Sequence, residues 1–345
     1  MSRNNELERL IKESRLPQLR KIELQQIING ERLADLYYDV IAKRIFSPDL
    51  YPERMDFILQ RTMNDPSLAT DKSASNEAYL SNIYAKKSIT DIPAWLRNGW
   101  MTNVEMQLAA QEYIFNRADI YASNMLLLQY SKEENGIDDV NYRNVNGAIL
   151  IVLMVNSPKQ FREFKSDRYI HRITKTKSDS GMEFELLRQI VFVQLDKALE
   201  LYLKGNYNED EDVELLKLFA MIADINNEKL KKETQRDDFF EKIREDVFAF
   251  TRDREVLNML TAEDFARMDY YTDISDAKKQ GRDLGIEEGR KQGIEEGIEE
   301  GIKEGRKEGR KEGIKLGIER GRAMERKRAD ELQKELDELK AKYGV

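Results

Sequence analysis

Cysteine is absent from the chain, and histidine occurs once, at His171. The first absence removes disulfides, thiolate metal sites and a cysteine nucleophile; the second removes multi-histidine zinc centres. A metal bound here is therefore expected on oxygen ligands, as Mg²⁺ or Mn²⁺ would be. Long apolar runs are missing as well: the longest, Ala148 to Val155, is far short of the roughly 20 residues that cross a bilayer. The opening MSRNNELERL is charged and shows no signal-peptide pattern, so a cytoplasmic protein is expected. What is abundant is charge, at 35 % of residues with a formal net of −8. An acidic balance argues against a wholly basic nucleic-acid coat. A length of 345 residues suggests one large or two modest domains.

The chain is organised around residues 86–107, KKSITDIPAWLRNGWMTNVEMQ. Asn98-Gly99 tolerates the positive φ of a tight turn and predicts a hairpin. Glu105 and Gln107 lie two apart on its second strand and share a face, while Val104 and Met106 point the other way. A strict two-residue turn would pair Asp91 with Met106 and set Asp91 and Glu105 on opposite faces. One extra residue returns them to one face. Pro93, which cannot donate to a ladder, is the expected place for that irregularity. Two carboxylates so converged need a cation or a shared proton. Spacing alone reads equally as a solvated hairpin with scattered acids.

Residues 4–29 read as a helix interrupted at Pro17 and stopped by Asn29-Gly30. From Glu31 to Phe46 an apolar stripe at helical spacing predicts a second helix, with Asp39 and Lys43 four apart on another face. On sequence grounds that pair reads first as an ordinary helix salt bridge. A helix is expected near Glu53 to Met63, and at most one strand in the ambiguous SLATDKSASNEAYLSNIY. In the helix predicted over Gln111 to Tyr130, Tyr113, Arg117 and Tyr121 share a face, which could place Arg117 near a phosphate or leave it half exposed. AILIVLMV reads as a central strand covered on both faces, and residues 183–195 as a further strand. The acids at 209–212 suit a helix start, opening an all-α stretch to about Asp273.

Between Lys159 and Lys177 seven Lys/Arg face two acids, the one basic island of an acidic chain. Such a surface beside carboxylates suits a polyanion, though a charge run is as often merely solvated. His171 within it reads as a strand-surface residue. Glycine then recurs every fourth residue from Gly281 to Gly321, eleven times, with charged spacers. Each costs about 1 kcal/mol against alanine in a helix, so a partly helical, low-complexity tail is expected. Its glycine ridge permits close backbone approach and hence self-association, and its charged spacers exclude a membrane dimer. The final ERKRADELQKELDELKAKYGV predicts a firmer amphipathic helix.

The ordered set of Asp39-Val-Ile-Ala-Lys43-Arg-Ile-Phe46, Asp91-Ile, Asn103-Val-Glu-Met-Gln107, Arg117 with Tyr121 and the IEEG repeats resembles the Rpn family of recombination-promoting nucleases, also described as transposases, in the PD-(D/E)XK superfamily. The resemblance covers about 31–321. It implies an α/β fold: a restriction-endonuclease-like mixed sheet flanked by helices over 31–200, after a helical extension at 1–30. An all-α appendage at 206–274 and the glycine-repeat tail at 276–345 follow. It also implies a metal-dependent endonuclease acting on DNA. Asp91 and Glu105 would bind Mg²⁺ or Mn²⁺, with the Met106 carbonyl and Asp39 as further ligands. Gln107 would stand where the superfamily has lysine, so either Lys43, Lys86, Lys87 or Arg117 would supply positive charge or hydrolysis would be slow. Arg162, Lys165, Arg168, Arg172 and Lys175 would hold DNA. Thr90, Pro93 and Ala42 depart from the family pattern and bear on catalytic efficiency rather than fold.

Overall fold

The computed structural model describes residues 4–74, 77–78, 88–89, 91–129, 143–205, 207–208 and 210–343. Lys86, Lys87, Thr90, Glu209 and most of the loop before Ala148 lie outside them. The chain forms two compact units, Met1–Arg267 and Met268–Val345.

The first unit is built on a six-stranded mixed sheet in the order β1-β4-β5-β6-β8-β7. Its strands are β1 (Thr70–Ser73), β4 (Ile92–Leu96), β5 (Met101–Gln107), β6 (Ala148–Met154), β7 (Ile170–Lys177) and β8 (Glu183–Gln194). A separate two-stranded ladder joins β2 (Glu77–Ala78) to β3 (Ser88–Ile89). Two strands thus arise where at most one was expected. β5, β6 and β8 run parallel, and β1, β4 and β7 add antiparallel flanks. β6 is buried along its whole length, as a strand between two parallel neighbours must be. Helix α5 (Ile114–Leu128) closes one face: its Ile114, Ala118, Ala122 and Met125 pack with Met101, Leu150, Val152 and Phe192.

Helices α1 (Asn4–Glu13) and α2 (Gln18–Asn29) flank the break at Pro17, and Gly30 ends α2 at φ 76°. The helix expected from Glu31 is corrected by the structure, where α3 spans only Asp39–Ile45. Residues 31–38 spend their polar groups on distant partners. Asn226 bonds both the N–H and the carbonyl of Leu33, and buried Asp35 meets Arg32 and Arg20. Tertiary bonds have replaced intrahelical ones.

The remaining helices of this unit are α4 (Pro52–Met63), α6 (Lys159–Glu163), α7 (Leu195–Lys204), α8 (Val213–Ala223), α9 (Glu228–Thr234) and α10 (Asp238–Phe250). The boundary expected at 206 is not a break in packing, because the appendage lies in the same unit as the sheet. Buried Arg54 of α4 pairs with Asp246, and Arg61 pairs with Asp212 at 2.6 Å. The last helix, α11, runs from Arg254 to Tyr343. Over residues 275–340 every side chain is exposed, and a Cβ added at any tail glycine would meet nothing within 4 Å. Here the sequence predicts only partial helix and the structure shows a continuous one, with spacer ion pairs such as Lys291–Glu287 at 2.8 Å supporting it. No helix among the described residues is long and apolar enough to cross a membrane.

Candidate active site

The hairpin sets the geometry. Leu96 accepts from the Gly99 N–H at 2.9 Å and donates to the Trp100 carbonyl at 2.8 Å, so the connection is the three residues 97–99. Gly99 takes φ 83°, the left-handed position such a turn requires. The extra residue therefore lies in the turn. This corrects the expectation for Pro93, which pairs with Asn103 in an unbroken β4–β5 ladder. The ladder ends with Ile92 opposite Val104, and its next step sets Asp91 against Glu105.

Asp91 itself precedes β4 rather than lying on it. In β5, Met101 and Gln107 bond towards β6, so Met106, of opposite parity, bonds towards β4. Met106 lies past the end of β4, and its N–H donates to Asp91 Oδ2 at 2.7 Å. In an extended strand the Met106 carbonyl points to the same side as its N–H.

Glu105 is 3 % exposed. Its Oε1 accepts from Arg117 Nη2 at 2.8 Å and its Oε2 from Asn103 Nδ2 at 3.2 Å. Asn103 Oδ1 in turn accepts the Ile92 N–H at 3.0 Å, tying the two strands together beside the acids. The sequence reading gave Asn103 no role, although its place two residues before Glu105 put it on the same face. Arg117 reaches Glu105 from α5, with its Cζ 4.8 Å from the Tyr121 ring centroid. Gln107 is buried and donates to the Ala109 carbonyl at 2.9 Å.

Burial, and then the charge of Glu105, push the Asp91 carboxyl up to about 8. Burial also raises Glu105, against the lowering by Arg117. Two desolvated carboxylates hold more negative charge than one guanidinium offsets, and the site favours a further cation or proton. Asp39 raises and Lys43 lowers the Asp91 carboxyl, so the α3 pair acts on the site from nearby. The two are ion-paired at 2.9 Å, and the Asp39 N–H donates to both carboxylate oxygens of Glu263 at 3.1 and 3.2 Å.

Among the described residues no group of three or more acidic or histidine side chains is placed to hold a metal ion. Asp39 is thus not drawn into a three-carboxylate cluster. The donors present are two carboxylates and a carbonyl, a set that fits an ion keeping several waters and substrate phosphate oxygens, as Mg²⁺ does.

The basic island is divided. Arg162, Lys165 and Arg168 follow β6 at the end of the sheet where Glu105 and Gln107 lie, since Gln107 is in register with Met154 and Gln194. Lys175 lies further along β7 and pairs with Glu185 at 2.9 Å. Arg172 is exposed on β7, with its Nε–H given to the Thr62 carbonyl. His171 faces Gln194 Oε1 at 3.0 Å from an edge strand.

A model of the PD-(D/E)XK nuclease family transposases matches residues 37–277, more than half of the chain. No curated protein and no solved structure matches it.

Proposed function

Since the chain belongs to the PD-(D/E)XK nuclease family transposases, we propose that it is a divalent-metal-dependent DNA endonuclease of the Rpn type, serving recombination or mobile elements. The observation that carries this reading is the Asp91–Glu105 placement: the β4–β5 register sets half-buried Asp91 against buried Glu105, and the Met106 N–H holds Asp91. Asp91, Glu105 and the Met106 carbonyl would hold Mg²⁺ or Mn²⁺. When bound, such an ion polarises the scissile phosphate and lowers the pKa of an attacking water.

This chain's own residues do the rest. The bond from the Met106 N–H fixes one oxygen of Asp91. Asn103 holds Glu105 from beneath. Gln107, anchored on Ala109, can orient a water but brings no charge. Positive charge comes from Arg117 and Lys43, which already balance Glu105 and Asp39.

The test is nicking of supercoiled plasmid by purified protein with Mg²⁺, against Asp91→Ala and Glu105→Ala. Both variants should lose cleavage by at least about a hundredfold, the order expected when a group stabilising developing charge is removed. Equal cutting by the variants would assign the activity to another site.

A second reading, a nuclease-fold protein of weak or no activity that assembles through its tail, is favoured by one observation. Ile286, Ile294, Ile298, Ile302, Ile314 and Ile318 are exposed on α11, each directly following a tail glycine.

A further inference from the structure

The molecule carries a row of aromatic rings, exposed at its two ends, that cleavage chemistry does not use. Phe115, Phe161, His171 and Phe164 follow one another with centroids 5.3, 5.4 and 6.1 Å apart. Phe192 roots the row from within the core, 5.0 Å from Phe115 and 5.3 Å from Phe161. Its two ends are open, with Phe115 43 % and Phe164 62 % exposed. Phe161 and Phe164 line a cleft of about 660 Å³ together with Arg162 and Lys165.

The charge around this row is positive in effect. Among the described residues Arg162, Lys165 and Arg168 have no carboxylate partner, whereas the acids nearby are largely committed. Glu163 pairs with Lys159 and Glu200 with Lys204. Asp196 accepts from Ser157 N and Oγ and from the Lys197 N–H. Asp167 stands against the three cations. The row and the carboxylates share α5 as a support: Phe115 packs on Phe161 and Phe192, and Arg117, on another side of the helix, rests on Glu105. Gln160 holds α6 to the start of α5 through the Glu112 carbonyl at 3.2 Å.

Rings exposed at both ends of the row, with unpaired cations in the cleft beside Phe164, match an unpaired strand. Its bases offer π-faces for stacking while its phosphates meet the cations. A duplex hides those faces in its own stack. We propose that the row from Phe115 to Phe164 is a track for single-stranded DNA, so that the substrate class is DNA with an unpaired segment next to the point of cleavage. This rests on the DNA-cleaving reading of the carboxylates, yet it is testable without cleavage.

The experiment is fluorescence anisotropy in EDTA with a labelled oligothymidylate, a labelled blunt duplex of matched length and a labelled oligouridylate. The oligothymidylate should bind most tightly, and Phe164→Ala should weaken it roughly tenfold, the scale of one lost base–aromatic stack. Duplex binding should change less than twofold, and Phe164→Trp should restore the oligothymidylate. Unaltered binding by Phe164→Ala overturns the track, as does preference for the duplex or for the oligouridylate. Should wild type with Mg²⁺ cut intact duplex while Phe164→Ala binds the single strand normally, the track falls and the nuclease stands. Should nothing be cut while the stacking loss is seen, the nuclease falls and the track stands.

Discussion

Asp91 carries a pH dependence whose direction is unusual for a carboxylate. Its ordinary value of 3.8 rises to about 8 in the folded chain, through burial and the nearby charge of Glu105. Between about pH 4 and 8 the folded state binds a proton that the unfolded state has released, so stability falls as pH rises through that window. The loss is complete above the folded value. Metal-free protein should therefore show a lower Tm at about pH 9 than at about pH 5, and Asp91→Asn should flatten the profile. Mg²⁺ competes with that proton and should raise Tm more at the alkaline end. An equal Mg²⁺ shift in Asp91→Asn would place the ion elsewhere. Arg117 is the present counter-charge of Glu105 at 2.8 Å. Arg117→Ala should cost about 1–3 kcal/mol, the price of a buried acceptor left unpaired, with partial recovery on adding Mg²⁺. Urea unfolding with and without the ion checks this.

At the scale of elements the hairpin decides whether there is a site. Gly99 sits at φ 83°, and a Cβ there would also come within 2.4 Å of Asn146 Nδ2. That amide can move aside, but the left-handed backbone remains, at about 1–2 kcal/mol for a residue with a side chain. Gly99→Ala should lower stability by that order, and it should lower cleavage beyond what lost folding explains. A turn shortened by one residue would turn Asp91 away from Glu105. Pro93→Ala, inside the regular ladder, should leave cleavage near wild type. Comparing urea midpoints with nicking rates separates the two effects. The same element shows how far the sequence could be read. Asn98-Gly99 announced the turn, and the side-chain alternation announced the Glu105 face. The turn's length was not legible, because two- and three-residue connections share that dipeptide. Residues 31–38 carry helical spacing yet are not helical, since Asn226 and Arg20 compete for their polar groups from far along the chain.

On the scale of the whole molecule, α11 joins two different tasks. Its first turns lie within the first unit, where Glu263 holds the Asp39 N–H and Asp264 accepts the Tyr38 hydroxyl at 2.9 Å. Its later turns are exposed throughout. Removing residues 276–345 leaves the first unit and its sheet whole, so plasmid nicking should persist. Isoleucines exposed beside a glycine ridge favour association of like helices, and the same deletion should lower the oligomeric mass measured by light scattering. An unchanged mass would dispose of the tail as an assembly device. By itself the sequence determined the oxygen-only ligand chemistry, through missing cysteine and a single histidine. It also determined the buried central strand, through an unbroken apolar run. Only the tertiary structure decided that Asp91 and Glu105 face one another, that Asn103 and Arg117 hold Glu105, and that Arg172 gives a hydrogen bond to the Thr62 carbonyl. Composition and periodicity are local properties of a chain. Register, counter-charge and desolvation arise between residues far apart in it, and exist only once the sheet has closed.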